Sequence, residues 1–109
     1  TKLYGVDESV REARTTELQG LLSEIRSLPE VQRNRQDEAV VLNQLGNVYH
    51  VNGFYDKAEA IYKEALIIQR RLFPNVHNDK AISIGNLATL YRATSRYSEA
   101  EELFKEALT

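Results

Sequence analysis

The side chains that most often carry catalysis are few and widely separated in this chain. Its 109 residues include no cysteine and two histidines, His50 and His77. The sequence has no glycine-rich phosphate loop, no dinucleotide-binding glycine pattern, no nucleophile elbow and no H-E-x-x-H motif. We interpret His77 as a residue that orders a loop and His50 as a residue near a helix end. We therefore predict that the protein is not an enzyme and needs no metal or cofactor.

Two acid–base pairs stand four residues apart on predicted helices, Glu59 with Lys63 and Glu101 with Lys105. At this spacing the side chains meet on the helix surface, and each pair contributes about 0.2–0.5 kcal/mol. We interpret both pairs as support for their helices rather than as catalytic groups.

Charge and hydropathy narrow the classes of partner. The formal net charge is −2, and the densest basic cluster (Arg26, Arg33 and Arg35) is interrupted by acidic residues, whereas a duplex-binding protein normally presents a basic face. No apolar run approaches the ~18 residues of a membrane span, and the first residues lack the apolar core of a signal peptide. We therefore expect a cytoplasmic protein that binds neither nucleic acid nor membrane. The absence of methionine and an end directly after a helical run indicate a piece of a longer protein.

Two similar segments, residues 39–66 and 81–108, align without a gap at an offset of 42 residues. Their identical pairs are Ala39/Ala81, Leu45/Leu87, Tyr49/Tyr91, Tyr55/Tyr97, Ala58/Ala100, Glu59/Glu101, Lys63/Lys105, Glu64/Glu106, Ala65/Ala107 and Leu66/Leu108. A period in this range is typical of stacked-repeat architectures. Because glycine and proline are sparse and apolar residues recur every three or four positions, the repeat unit is predicted to be helical.

Turn signals divide the chain into five predicted helices, over about residues 8–28, 37–51, 55–72, 79–93 and 98–108. Pro29, Asn52-Gly53, residues 73–75 and residues 94–96 separate them. Asp7, Asp37 and Asp79 are predicted to cap helix N-termini, because a carboxylate accepts from the free amides of the first turn. Residues 30–36 are compatible with a loop or with an early turn of the second helix.

Small and aromatic residues at repeated positions predict helical hairpins. Gly46 and Ala88 lie midway along the first helix of each pair, and Ala58 lies early in a second helix, with Ala100 at the matching position. Such small side chains let two antiparallel helices approach closely. The aromatic residues Tyr49, Tyr62, Tyr91 and Phe104 are predicted to fill the wedges between neighbouring helices. A single hairpin cannot bury both of its faces, so neighbouring hairpins must stack.

The pattern of these residues resembles the tetratricopeptide repeat. The matching positions are Leu42, Leu45, Gly46, Tyr49, Ala58, Tyr62 and Ala65, and again Ile84, Leu87, Ala88, Tyr91, Ala100, Phe104 and Ala107. The period exceeds the usual ~34 residues. With Leu72, Pro74, His77, Asp79 and Ala81 in the linker, it is similar to the longer repeats of kinesin light chains and of arrays attached to some signalling ATPases.

The resemblance implies an all-α fold of antiparallel helical hairpins stacked as a short right-handed superhelix, an alpha-alpha solenoid. Residues 37–78 would form one repeat and residues 79–109 a second, truncated one. Residues 1–36 would hold an N-terminal helix and a connector. Tyr4 and Ala13 have the spacing of Tyr49 and Ala58, but Glu17 falls where an aromatic residue is expected. This segment is therefore either a degenerate half-repeat or a capping helix.

In this family the first helix of each pair lines a concave groove that binds peptides. By the family's register, the site residues are Asn43, Gln44, Asn47, His50, Asn86, Thr89 and Arg92, with Val40, Val51, Ile82, Gly85 and Ala93 as further lining residues. Asparagine both donates and accepts, so Asn47 and Asn86 could pair with a peptide backbone. Arg92 could pair with an acidic residue. Asn43 stands where the family's clamp for chaperone tails requires lysine, which disfavours that class of ligand.

The resemblance therefore implies a protein–protein interaction module, part of a larger adaptor or scaffold, that binds a partner peptide or helix. The alternative is a repeat arm of a multidomain signalling ATPase that serves intramolecular packing or self-assembly. We also expect self-association through the exposed C-terminal hairpin, since two repeats leave its outer face without a neighbour.

Overall fold

A computed structural model describes the backbone of residues 2–108 and the side chains of residues 10–108. This part of the chain contains five α-helices, a single-turn 3₁₀ helix and no strand, so the all-α prediction is confirmed. The helices are α1 (Lys2–Ser27), α2 (Arg35–Val51), α3 (Tyr55–Leu72), α4 (Asn78–Ala93) and α5 (Tyr97–Ala107), and the 3₁₀ helix spans Glu30–Gln32.

The helix starts differ from the predicted caps. Asp7 lies inside α1. The side chain of Asn34 caps α2 by accepting from the Asp37 amide at 3.0 Å, and His77 caps α4 by accepting at Nδ1 from the Asp79 amide at 3.1 Å. Asp37 and Asp79 instead occupy the first helical turns, where a negative charge is favourable to the helix dipole. His77 is thus a loop-ordering residue, and its ring stacks on Phe73 at 3.6 Å between centroids.

Both helical hairpins turn through one residue in the left-handed region. Gly53 has φ 81° at the turn between α2 and α3, as the sequence predicts. At the equivalent place between α4 and α5, Ser95 has φ 64°. A side chain is disfavoured in this conformation, so the second turn carries backbone strain that the first avoids.

Each helix packs against the next one along the chain, and α2 also contacts α4. One apolar cluster joins α1, α2 and α3 through Leu18, Leu22, Val41, Leu42, Leu45 and Ala65. A second joins α3, α4 and α5 through Ala58, Tyr62, Leu66, Ile84, Leu87, Ala88, Leu90, Tyr91, Ala100 and Leu103. Because α3 contributes to both clusters, it couples the two ends of the array.

Gly46 confirms the predicted role of small residues. A Cβ at this position would lie 2.5 Å from Cδ1 and Cε1 of Tyr62, closer than real Cβ contacts allow. The Tyr62 ring therefore rests directly on the α2 backbone.

The N-terminal helix repeats the contacts of α3. Arg26 of α1 pairs with Glu64 of α3 at 2.5 Å, just as Arg70 of α3 pairs with Glu106 of α5 at 2.6 Å. Glu64 and Glu106 are identical positions of the two segments, so Arg26 corresponds to Arg70 at an offset of 44 residues. This register places Leu18 where Tyr62 stands, and both side chains are fully buried.

The register of α1 therefore differs from the one suggested by sequence spacing. Tyr4 and Ala13 lie on one continuous helix, whereas Tyr49 and Ala58 lie on two helices separated by a turn. The aromatic position that sequence spacing gives to Glu17 is occupied in the structure by the next residue, Leu18. Residues 30–36 resolve into the 3₁₀ helix, a short connection and the first turn of α2.

Candidate peptide-binding surface

The residues predicted to line a groove are distributed over α2 and α4, which lie side by side. Positions spaced by four, three and four residues share one face of a helix. On α2 these are Val40, Gln44, Asn47 and Val51, all exposed. On α4 the corresponding positions are Ile82, Asn86, Thr89 and Ala93, of which Asn86 is half-buried and the others are exposed. We call these eight residues, together with Arg92, the α2–α4 face.

Three exposed aliphatic side chains give this face apolar character. Val40, Val51 and Ile82 stay in solvent although each belongs to a helix with a well-packed opposite side. They alternate with amide and hydroxyl groups, which can orient a polar backbone. Apolar contact with a few placed polar groups is the usual chemistry of a binding site.

Asn43 departs from the prediction, because its side chain is buried between α2 and α4. Its Nδ2 donates to Ser83 Oγ at 2.8 Å, so the residue joins the two helices and does not face the open side. The polar type of Asn43 is explained by this interhelical hydrogen bond, which the sequence pattern did not reveal.

Asn47 and His50 are tied to the aromatic residues beneath them. The Tyr62 hydroxyl donates to Asn47 Oδ1, which leaves the Nδ2 donor of Asn47 for a ligand. Burial raises the pKa of Tyr62 to about 12, so its hydroxyl remains a donor over the physiological range. His50 is half-buried, with its ring edge-to-face against Tyr55 and Tyr62 at centroid distances of 5.7 and 6.4 Å.

Arg92 lies where the α2–α4 face meets the free side of the last hairpin. It lines a shallow cleft of about 460 Å³ together with Tyr97, Phe104 and Leu108. We call these four residues the end face. Gln44, Asn47, Asn86 and Thr89 thus lie at exposed or half-buried positions of two adjacent helices, Arg92 lies at the margin, and Asn43 is buried between the helices.

Glu59 is more than a helix-supporting partner of Lys63. Its carboxylate accepts from Lys63 at 2.8 Å, from Arg96 at 2.7 Å and from the Tyr91 hydroxyl at 3.3 Å. Burial disfavours its charged form, but the hydrogen bonds from Lys63 and Arg96 outweigh this and hold the pKa of Glu59 below its usual value. This network ties α3, α4 and α5 together at the turn end of the second hairpin.

A cleft that sequence analysis missed lies at the turn end of the first hairpin. It has a volume of about 600 Å³ and is bounded by α1 and by the turn between α2 and α3. Phe54 and Lys57 line it, and these are positions where the two aligned segments differ, with Arg96 and Glu99 in the second. These differences between the two aligned segments are the feature of the sequence that could have indicated the cleft.

Neither a cluster of metal ligands nor a membrane-spanning helix is found among the residues that the structure describes. Among the residues that the structure describes, no three His, Asp or Glu side chains are grouped so as to hold a metal ion. Within the same part of the chain, none of the helices combines the length and apolarity required to cross a membrane.

Comparison with known proteins assigns the family. A model of the tetratricopeptide repeat matches residues 37–109, about two-thirds of the chain. No match is found among curated proteins. The matched region contains both helical hairpins except the first two residues of α2, and it contains the whole α2–α4 face. The chain therefore belongs to the tetratricopeptide repeat family, whose repeats generally mediate protein–protein interaction.

Proposed function

We propose that the α2–α4 face binds an extended peptide or a helix from a protein partner. The observation that carries this proposal is the row of exposed Val40, Val51 and Ile82 interspersed with Gln44, Asn47, Asn86 and Thr89 on two adjacent helices. Aliphatic side chains would supply contact area, and the amides would pair with the partner's backbone. The partner is expected to be a protein rather than nucleic acid, since the net charge is −2.

A matched pair of isoleucines tests this proposal. Ile82 on the face is 58% exposed, and Ile67 on α3, outside the face, is 48% exposed. Peptide binders would be selected from a random library with the unaltered chain, and their affinities measured by fluorescence anisotropy. We expect Ile82→Ser to weaken them about tenfold, because burying such a side chain contributes on the order of 1–2 kcal/mol. Ile67→Ser should leave affinity unchanged. Equal effects of the two substitutions would refute the proposal.

The N-terminal segment and the repeat period suggest how this chain is used within a larger protein. We propose that the chain is part of a larger cytoplasmic adaptor or scaffold, and that residues 1–36 form a half-repeat that caps the array. The capping role is supported by the side of α1 opposite Leu18, where the exposed residues Thr16, Gly20 and Ser23 are small or polar. A polar outer surface is what terminal repeats need for solubility. The 42-residue period supports a relationship to the longer repeats of kinesin light chains.

A second candidate function, packing within a larger array or self-assembly, is favoured by the end face. Phe104 and Leu108 are 39% and 86% exposed, whereas the equivalent Tyr62 and Leu66 are 1% and 2% exposed beneath α4. Within one chain, α2 packs against both α1 and α3, whereas the described helices leave the end face uncovered. Self-association would therefore join two end faces about a two-fold axis and would stop at the dimer.

Sedimentation velocity over a range of concentrations tests this second candidate. We expect a monomer–dimer equilibrium that Phe104→Ser shifts towards monomer. The matched control is Leu21→Ser on α1, since Leu21 is exposed to a similar extent at the opposite end of the array. A monomer at all concentrations, or an equal response to both substitutions, would exclude the end-face dimer.

A further inference from the structure

In two places a helix packs against the turn of the hairpin that follows it. These two junctions have the same arrangement of helices, but their charged side chains differ. At the first, the middle of α1 (residues 11–19) faces the end of α2 and the start of α3. At the second, the N-terminal half of α3 faces the end of α4 and the start of α5. Gln19 Nε2 donates to the Tyr49 hydroxyl at 3.0 Å in the first, and the Tyr91 hydroxyl donates to Glu59, the ion-pair partner of Lys63, in the second. Gln19 corresponds to Lys63 at the 44-residue offset, so equivalent positions surround an equivalent tyrosine in the two junctions.

The second junction is closed by its own side chains. The Arg96 guanidinium lies over the Tyr91 ring, 4.1 Å from the centroid, and forms ion pairs of 2.7 Å with Glu59 and with Glu99. Lys63 adds a third contact to Glu59 at 2.8 Å. Two carboxylates therefore hold a cation in the space above the tyrosine.

The first junction lacks all the groups that close the second. Thr15 stands in the place of Glu59, Phe54 in the place of Arg96, and Lys57 in the place of Glu99. Without the guanidinium and its two carboxylates, a cleft of about 600 Å³ is left between α1 and the turn. This volume falls within the range of ligand pockets, roughly 300–1,000 Å³.

The first junction carries cations, whereas the groups that hold Arg96 in the second junction are carboxylates. Lys57 Nζ stands 5.7 Å from the centroid of Tyr49 and 5.4 Å from that of Phe54, over an aromatic floor. Arg11 Nη1 donates to Asn52 Oδ1 at 3.0 Å on the opposite wall. Phe54 is mostly exposed although its ring packs edge-to-face on Tyr49. Glu12 also lines the cleft, so two cations and one carboxylate border the apolar surface and its formal charge is positive.

We propose that this cleft binds an acidic peptide segment of a protein partner, with a carboxylate between Arg11 and Lys57 and a neighbouring apolar side chain on Phe54 and Tyr49. The carboxylate pairs with the two cations, and the apolar side chain fills the space that corresponds to the one the Arg96 guanidinium occupies over Tyr91 in the second junction. The cleft lies at the turn end of the hairpin, apart from the α2–α4 face, and the two surfaces can be occupied independently. Binding depends on charge and weakens as salt rises.

The probe is a fluorescein-labelled peptide of alternating phenylalanine and glutamate, titrated with the full 109-residue chain and followed by anisotropy. Two further peptides replace glutamate by lysine or phenylalanine by serine. We expect the first to bind and both others to bind at least about tenfold more weakly, as hydrogen bonds to charged groups and buried aromatic rings each carry that much.

The decisive variant rebuilds the closed junction in the open one. Thr15→Glu, Phe54→Arg and Lys57→Glu together install the second junction's network, and we expect this variant to remain folded by circular dichroism and to lose peptide binding. Lys105→Glu, at an exposed position of α5, has the same net charge change and is expected to bind normally. Ile82→Ser on the α2–α4 face is also expected to bind normally.

Three results would overturn the proposal. The first is equal binding of the acidic and basic peptides. The second is full binding by the triple variant. The third is loss of binding in Ile82→Ser, which would assign the peptide to the α2–α4 face. If the triple variant unfolds, Lys57→Glu alone replaces it, and unchanged affinity there overturns the proposal in the same way.

Discussion

Replacing Gly46 by alanine is expected to destabilise the protein, although alanine is the better helix former. The added Cβ would lie 2.5 Å from two carbons of the Tyr62 ring and 3.1 Å from Cζ. The ring has little freedom to move away, because it is 1% exposed and its hydroxyl donates to Asn47. Either the ring or the α2 backbone must shift.

Two opposing effects determine the magnitude. Removing a glycine from a helix interior stabilises by about 0.8–1 kcal/mol. Overpacking a close-packed core costs about 1–3 kcal/mol, and two contacts below 3 Å with a fixed ring favour the upper half of that range. We therefore expect Gly46→Ala to lower the free energy of unfolding by about 1–2 kcal/mol. For a domain of this size, each 1 kcal/mol lowers Tm by roughly 4–8 °C.

Gly85→Ala is the matched control. Gly85 lies in the interior of α4, and nothing stands within 4 Å of a Cβ built on it. The same substitution should therefore stabilise the protein by about 0.5–1 kcal/mol. Thermal and urea unfolding, followed by circular dichroism, would measure both variants.

The effect of Gly46→Ala is expected to depend on Tyr62. In a Tyr62→Leu background the ring is gone, and Gly46→Ala should no longer destabilise. In the second hairpin, Ala88 and Phe104 occupy these two positions, so an alanine is compatible with an aromatic residue there. If Gly46→Ala proves as stable as Gly85→Ala, the direct packing of Tyr62 on the α2 backbone is refuted.

Three further predictions concern the turn, acid stability and the N-terminal helix. Ser95→Gly should raise the free energy of unfolding by about 1 kcal/mol in urea titrations, because the residue has φ 64°, while Gly53→Ser at φ 81° should lower it by a similar amount. The pKa of Glu59 lies below its usual value, so the stability it contributes is present above about pH 4.5 and is lost as pH falls through the lowered value. Glu59→Gln should therefore flatten the decline of Tm below that pH, and an unchanged decline would contradict its role. Leu18→Ala should cost about 2–5 kcal/mol in a single cooperative transition, since this fully buried side chain links α1 to the repeats; separate melting of α1 would contradict this.

The repeat and its helices could be predicted from the sequence. The helices depend on apolar spacing and turn residues close to one another in the chain, and the repeat is visible as the similarity of two segments. The bounds of α3 agree with the prediction, residues 55–72, since Gly53 and Pro74 mark its ends and an apolar stripe runs between them. The helix starts were harder, because Asn34 and His77 cap through side chains while nearby aspartates carry the same signal. Several side-chain acceptors lie near each helix N-terminus, and the local sequence does not determine which of them accepts the capping hydrogen bond.

The candidate surface was predictable only in outline. The family register predicts Gln44, Asn47, Asn86 and Thr89 on one face, and in the structure these residues are exposed or half-buried on two adjacent helices. The structure also removes Asn43 from that face, because Ser83 on the adjacent helix supplies a buried partner. A polar residue type alone does not distinguish exposure to solvent from a hydrogen bond between two helices.

The sequence by itself determined the all-helical hairpin, the 42-residue period and the family, because small, aromatic and turn residues act on neighbours within about one helical pair. Only the tertiary structure decided the register of α1, the burial of Asn43 and the difference between the two junctions. Each of these depends on which side chains meet across separate helices: Arg26 with Glu64, Asn43 with Ser83, Arg96 with Glu59. Residue spacing along the chain determines which side chains share a face of a helix, whereas tertiary packing determines which side chains of other helices they contact.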